Sequence, residues 1–165
     1  MAEQRRKRRS APPGDFSDPL SNYEQPDYAD DLERALTEDQ VSELQHQPFM
    51  AVPPSTTVEQ ALRIMADLDI ACMMIAEHDR LVGILSERDV VNKILDTYRK
   101  IKDHPVSEVM TPDPVTVHET ESPAKALNLM AVGGFRHIPL LDVDEKIVGI
   151  LGPRRVTAYL QERVG

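Results

Sequence analysis

The sequence contains an internal duplication. Residues 50–85 align with residues 115–151, and both copies end in Val-Gly-Ile-Leu. Within the copies the shared helical residues match at an offset of 65: Ala61, Leu62, Met65 and Ala66 align with Ala126, Leu127, Met130 and Ala131. One extra residue in a later loop then raises the offset to 66. Two units are too few for a solenoid, which needs three or more repeats. We therefore expect the copies to pack face to face by pseudo-two-fold symmetry, each burying the other's sheet.

Each copy has the same order of predicted elements. In the first copy, apolar residues recur at 58, 61, 62, 65 and 68, the spacing of a helix that is buried on one side. Short apolar runs at 71–76 and 138–141 predict buried strands, and polar turns at 78–79 and 144–145 lead into the next strands. Residues 86–101 and 153–164 predict the closing helices. The expected fold class is α+β, with two βαββα repeats.

Composition divides the rest of the chain. Residues 1–26 are rich in Pro, Ser, Asp and Arg, which predicts a disordered tail. Residues 27–46 carry a helical apolar stripe and predict one N-terminal helix or two short ones, packed on the body or on a partner chain. We expect the first repeat at residues 47–101 and the second at residues 102–165.

Charge and cysteine content restrict the class of protein. The net charge is -9, and the body is mildly acidic, which argues against nucleic acid as the main ligand. The basic cluster at residues 5–9 is interpreted as a solvated terminus, with nucleic-acid or anionic-membrane contact as the alternative. No secretory signal or membrane span is predicted. A single cysteine, Cys72, fits a reducing compartment and a small core residue, so we expect a cytoplasmic protein.

The closing strand of the first copy runs into Gly-Ile-Leu-Ser-Glu-Arg-Asp at residues 83–89. Together with the tandem order of elements, VSEVMTPDPVTV at 106–117 and FRHIPLLD at 135–142, this motif resembles a pair of cystathionine-beta-synthase (CBS) domains, also called a Bateman module. The resemblance implies an adenosyl ligand between the repeats: AMP, ADP, ATP, S-adenosylmethionine or a dinucleotide. It places Ser86 and Asp89 at the ribose. Chemically, a carboxylate can accept from two vicinal hydroxyls. The alternative is purely structural, because Ser86 and Asp89 also fit a helix capping box.

The second copy departs from this pattern. Gly152 replaces the serine and Arg155 replaces the aspartate, and a guanidinium cannot accept a hydrogen bond from ribose. We expect Arg154 and Arg155 to meet a phosphate or an acidic partner, or else to be solvated surface residues.

The remaining ligand contacts are assigned through the resemblance. Arg136 and His137 are expected at the phosphates, where the first copy has Ala71 and Cys72. Arg136 could instead form a surface ion pair and His137 could be a satisfied buried histidine. Thr116, with its counterpart Ala51, is expected at the base. The predicted result is one asymmetric cleft with ribose contacts from the first repeat and phosphate contacts from the second.

No catalytic constellation, metal-ligand spacing or phosphate loop is present in the sequence. We therefore expect a regulatory module, not an enzyme, with an adenine nucleotide as regulatory ligand and no cofactor or metal. The resemblance implies a homodimer that signals to an effector protein. The alternative is a dimeric scaffold whose nucleotide site has decayed. A small enzyme would need a cofactor that the sequence does not indicate, and nucleic-acid binding through the N-terminal arginines is a further alternative.

Overall fold

A computed structural model describes residues 26–164; the predicted tail and its basic cluster lie outside the described residues, except for Pro26. The elements follow the predicted order. The N-terminal segment and first repeat comprise α1 (Asp31–Glu38), β1 (Ala51–Val52), α2 (Val58–Asp67), β2 (Cys72–Glu77), β3 (Arg80–Ser86), α3 (Glu87–Asp89) and α4 (Tyr98–Ile101). The remainder comprises β4 (Thr111–Pro112), β5 (Val117–His118), α5 (Pro123–Gly133), β6 (Ile138–Leu141), β7 (Ile147–Leu151) and α6 (Pro153–Val164). Among these residues, no helix is long and apolar enough to cross a membrane.

The α+β fold class is confirmed, and the two sheets repeat each other's pairing. In each repeat a short first strand runs parallel to the second, which pairs antiparallel with the third: β1-β2-β3 and β5-β6-β7. A bulge between Ile75 and Ala76 recurs between Leu140 and Leu141, at the offset of 65. A shared irregularity at the same offset supports the alignment of the two copies.

The change of offset from 65 to 66 arises in the hairpin turns. In the first repeat, His78 and Asp79 both have positive φ and form a two-residue turn between β2 and β3. In the second repeat the β6–β7 turn is longer, and its positive φ falls on Glu145 alone. The extra residue therefore changes the turn type and leaves the strands in equivalent positions.

The two sheets face each other through a small apolar seam. Side chains alternate along a strand, so Met73 and Ile75 of β2 face their own repeat's core while Cys72 and Met74 pack with Ile150 of β7. Five partly buried residues flank the seam: Phe49, Ala51, Leu81, Ile84 and Ile147. This arrangement is the expected face-to-face packing of the repeats.

Each sheet is completed by the segment that precedes the other repeat. Strand β4, which lies beyond residue 101, pairs antiparallel with β3, and the His46 carbonyl accepts from the backbone N–H of Ile150 in β7. The predicted boundary at 101/102 therefore separates the sequence copies but not the sheets. This exchange also explains two glycines. A methyl group at Gly83 would lie 3.0 Å from the Thr111 carbonyl oxygen, and one at Gly149 would lie 2.8 Å from that of His46.

The two closing helices differ. Helix α6 is continuous, but the single helix predicted over 86–101 is broken into α3, the π-helix Val90–Ile94 and α4. The i→i+5 bond from the Leu95 N–H to the Val90 carbonyl defines the π turn, and Thr97 bonds back to the Lys93 carbonyl. The Lys93 carbonyl thus accepts from the Thr97 hydroxyl, whereas in a regular α-helix it would accept from the Thr97 backbone N–H.

The N-terminal segment forms two short helices on the body of its own chain. Asp30 caps α1, and the 3-10 helix Val41–Glu43 follows. Val41 and Leu44 join the core of the second repeat. Asp39 accepts from the Tyr159 hydroxyl at 2.9 Å and from Arg163 at 2.8 Å, which fastens this segment to α6.

We predict that Gly149→Ala lowers the free energy of unfolding more than Gly83→Ala does. A methyl group at 149 would lie 2.7 Å from the Cβ atom and 2.8 Å from the carbonyl oxygen of His46, and the expected cost of such overpacking is about 1–3 kcal/mol. At 83 the nearest neighbour is the flexible end of Met110, and the Thr111 carbonyl oxygen is 3.0 Å away. Urea denaturation of both variants measures the difference, and because both lose the same unfolded-state entropy, each controls for the other. Equal costs would contradict the predicted difference, and no cost in either variant would contradict the crossing segments as the reason for these glycines.

Candidate functional site

The carboxylate of Asp89 is buried at the junction of β3 and α3, where it accepts four hydrogen bonds. Its Oδ2 accepts from the Ser86 backbone N–H at 2.9 Å and from the Ser86 hydroxyl at 2.6 Å. Its Oδ1 accepts from the Thr111 hydroxyl at 2.8 Å and from Lys93 Nζ at 2.7 Å. The Ser86 hydroxyl also accepts from the Asp89 N–H, so the capping box is present. The structural interpretation of this motif is therefore confirmed, and the ribose contact stays a prediction.

These contacts set the ionisation of Asp89. Burial acts to raise the pKa of the carboxyl, but hydrogen bonds from Lys93, Ser86 and Thr111 outweigh it and hold the pKa below its ordinary value. Asp89 is thus an anion at neutral pH, kept by donors from both the first repeat and β4. Behind it, burial raises the pKa of the Cys72 thiol to about 12, which fits a core residue and not a nucleophile.

A cavity of about 190 Å³ opens beside this carboxylate. The first repeat contributes Ser86, Asp89 and neighbouring residues to its wall, and the segment after α5 contributes Phe135, Arg136 and His137. The structure therefore brings Ser86 and Asp89 together with Arg136 and His137, as the sequence predicts. The lining of the cavity thus includes an acceptor, Asp89, and the basic side chains of Arg136 and His137.

A second cleft of about 500 Å³ adjoins the first. The two share the lining residues Ala71, Glu87, Arg136 and His137, and the second adds Arg154 and Arg155 at the start of α6. Arg154 is exposed, whereas Arg155 is half-buried and donates to the carbonyls of Ile150 and Pro48, both at 2.6 Å. Burial lowers the pKa of Arg155. Two of its donors thus serve the fold, and three remain for an anion in the cleft.

The loss of serine in the second copy has a packing cause. Cys72 pairs with Ser86 across β2 and β3, and the equivalent positions in the second repeat are His137 and Gly152. A methyl group at Gly152 would lie 3.0 Å from the His137 ring. The larger imidazole therefore takes the space that a side chain at 152 would use.

The two residues predicted at the base lie elsewhere. Thr116 lines a separate cavity of about 270 Å³ with Arg80, Asp113 and Glu145. Ala51 lies in β1 against the seam between the sheets. Neither residue lines the cavity beside Asp89, and their contact with the base stays a prediction.

Sequence reasoning missed Thr111 and Lys93, which complete the Asp89 network. Lys93 lies four residues after Asp89, a spacing at which opposite charges meet on a helix, so a local signal existed. Thr111 is distant in sequence, and only the pairing of β4 with β3 brings it to Asp89. No helical or strand period could have indicated that contact.

We predict that protonation of His137 lowers the free energy of unfolding at acidic pH. Burial lowers the pKa of His137, Arg136 and Arg155 add to this, and Glu87 opposes it. The unfolded chain therefore takes up this proton first, so stability is full above the ordinary histidine pKa, roughly 6.5, and falls as pH drops toward the folded value. Between those two pKa values, the free energy of unfolding of His137→Gln, measured by urea denaturation, should fall less with decreasing pH than that of the wild type. His104→Gln, which removes a histidine outside both clefts, is the control, and a wild-type pH profile for His137→Gln would contradict the prediction.

Comparison with known proteins identifies two copies of one domain. The profile of the family described as "CBS domain" matches residues 41–96 and 106–162. An uncharacterised 17.7 kDa protein of Acidianus ambivalens is 32% identical over 121 residues, which are 73% of this chain and 72% of that protein. The CBS domain-containing protein CBSCBSPB5 of Arabidopsis thaliana is 35% identical over 99 residues, 59% of this chain. The matched part is 18% of that protein, so this chain spans only a small share of its plant relatives.

Solved structures of similar fold include two with a bound nucleotide. The structure of CBSX2 in complex with AMP has a TM-score of 0.65 and 26% identity, and the match covers 74% of this chain and 96% of that one. The cytosolic domain of the Mg2+ channel MgtE in complex with ATP has a TM-score of 0.62 and 27% identity, over 78% of this chain and 51% of that one. The resemblance predicted from the sequence is confirmed: the chain belongs to the CBS domain family and carries two CBS domains in tandem.

Proposed function

We propose that the chain is a regulatory module that binds one adenosyl nucleotide, such as AMP, ADP, ATP or S-adenosylmethionine, in the cleft beside Asp89. One observation carries the proposal: an ionised, buried carboxylate from one repeat lines the same cavity as Arg136 and His137 of the other. Ribose hydroxyls would donate to Asp89, and phosphates would meet Arg136, His137 and, in the adjoining cleft, Arg154. Two related proteins solved with AMP and ATP support the ligand class.

The ligand would act by joining the repeats, without a chemical step. A nucleotide that contacts Asp89 and Arg136 at once favours the arrangement of repeats in which both reach it, and shifts the population toward that arrangement. The module would report this shift to an effector protein in the cytoplasm. Such signalling requires different affinity for the two arrangements, since a ligand that binds both equally shifts nothing.

We predict that Asp89→Asn weakens the binding of AMP, ATP and S-adenosylmethionine by roughly ten- to a hundredfold, the worth of hydrogen bonds to a charged acceptor. The amide keeps the shape of the side chain but loses the charge and one acceptor oxygen. Isothermal titration calorimetry measures affinity and stoichiometry, which we expect to be one per chain. Asp96→Asn changes an exposed carboxylate on the same segment and should leave binding unchanged.

The same titration tests a dimeric scaffold with a decayed site. That alternative is favoured by one feature: the four bonds to Asp89 already satisfy its carboxylate within the chain. A wild-type protein that binds none of the three ligands, yet forms a stable oligomer, would support the scaffold. Equal affinity in the wild type and Asp89→Asn would remove Asp89 from the site.

We further propose a homodimer through the broken helix of the first repeat. Val91 and Leu95 lie four residues apart on it, and their exposed fractions are 61% and 60%. An exposed apolar pair at helical spacing is suited to a partner helix.

We predict that Val91→Asp with Leu95→Asp converts a dimer into a monomer, because burying two carboxylates against an apolar partner is costly. Light scattering with gel filtration gives the mass. Val143→Asp is the matched control, since Val143 is 79% exposed in the β6–β7 turn and should not affect assembly. A wild-type monomer, or a double variant that stays dimeric, would exclude this interface.

A further inference from the structure

Lys93 donates to the carboxylate oxygen of Asp89 that a ribose hydroxyl would need as an acceptor. Its Nζ lies 2.7 Å from Asp89 Oδ1, and the Thr111 hydroxyl donates to the same oxygen. The other oxygen, Oδ2, accepts from the backbone and hydroxyl of Ser86. A carboxylate offers about four lone-pair positions, so these four donors fill it. A vicinal diol can therefore bind Asp89 only by displacing a donor that the chain supplies.

We infer that Lys93 is the donor displaced, and that it acts as an internal competitor which sets the affinity of the Asp89 site for ribose. This inference rests on the proposed function and deepens it. The bond from the Ser86 backbone N–H belongs to the capping box at the start of α3, so giving it up would uncap the helix. The Ser86 hydroxyl is held beside Asp89 by the same box, because its oxygen accepts from the Asp89 N–H. Thr111 is fixed by the pairing of β4 with β3. Lys93 is held by a flexible side chain that is 40% exposed.

Lys93 also has other hydrogen-bond acceptors near its ammonium group. Its Nζ lies within hydrogen-bond distance of three further acceptors: the Val109 carbonyl at 3.1 Å, the Met110 carbonyl at 3.3 Å and the Thr111 hydroxyl oxygen at 3.1 Å. An ammonium has three donors and here has four acceptors in reach, counting Asp89. When Asp89 accepts from a ribose instead, Lys93 keeps three neutral acceptors. The ammonium therefore stays fully hydrogen-bonded and partly exposed after the exchange, which lowers the cost of giving up its ion pair.

Displacing Lys93 frees one acceptor position on Asp89, which can take one ribose hydroxyl. The charge-assisted bond that must be broken lowers the net binding free energy of the ligand. In a variant without the ammonium this cost is absent, so the affinity for ribose rises.

The test compares Lys93→Met with the wild type, using adenosine and AMP as separate titrants in calorimetry. We expect Lys93→Met to bind adenosine roughly tenfold tighter, the equivalent of one charge-assisted hydrogen bond that no longer has to be broken. Lys93→Arg keeps the charge and should bind as the wild type does. Lys100→Met makes the same change at an exposed lysine of α4 and is the matched control. Lys93→Gln provides a second neutral variant if the methionine does not fold, and circular dichroism checks folding.

The outcomes separate this inference from the proposed function. One result is that the wild type binds adenosine while both neutral variants bind it with unchanged or lower affinity. That result would overturn the role of Lys93 as a competitor and would leave the proposed nucleotide site in place. A loss of AMP affinity with unchanged adenosine affinity makes Lys93 a phosphate contact and also overturns it. If neither the wild type nor the neutral variants bind adenosine or AMP, the nucleotide site itself fails. Binding seen only in the neutral variants supports both.

Discussion

The exchange of segments between the repeats, β4 in one direction and the backbone at His46 in the other, is the constraint on which the rest of the molecule depends. The backbone at Thr111 crosses Gly83 of the first repeat, and the backbone at His46 crosses Gly149 of the second. Neither crossing leaves room for a side chain on the glycine. Each places the segment that precedes one repeat beside the third strand of the other repeat, which is β3 or β7. In the first repeat that segment delivers the Thr111 hydroxyl to Asp89; in the second it delivers the Pro48 carbonyl to Arg155. Both clefts are consequently built from two repeats, and neither repeat could form one alone.

The divergence of the two copies follows from these neighbours. The first repeat has two small side chains, Cys72 and Ser86, at a pair of facing positions. At the equivalent positions the second repeat has the large side chain of His137 and no side chain at Gly152. Close packing requires such volume exchange, since an interior has little space to absorb an added side chain. Charge is exchanged in the same way. The position of Asp89, which accepts from donors around it, is taken by Arg155, which donates to carbonyls around it. Each change is compensated locally, so the fold tolerates both.

Periodicity and turn chemistry predicted the repeated elements, and the capping box could be read from Ser86 and Asp89, because those signals are local. The features that the sequence did not predict have different causes. Thr116 lies outside the cavity beside Asp89 although β5 pairs with β6 in the register that β1 has with β2, and no pattern within one strand shows which segments will line a cavity with it. The broken helix at Val90–Ile94 has the apolar spacing of a regular helix, and the hydroxyl of Thr97 is a weak signal beside it. The Lys93–Asp89 pair was visible as a spacing, but its importance depends on the burial of the carboxylate.

A buried charge must have a partner, and the kind of partner decides whether the site can respond to a ligand. Arg155 is satisfied by two peptide carbonyls, one of them in β7, and these acceptors are fixed by the strand and by the segment after His46. Withdrawing the guanidinium would leave both carbonyls without that donor. Asp89 is different, since one of its partners is a lysine side chain with other acceptors in reach. The first position can therefore exchange an internal partner for an external one at low cost, and the second cannot. Two copies of one strand-turn-helix thus acquire unequal roles, because only one of them holds its charge with a partner that can leave.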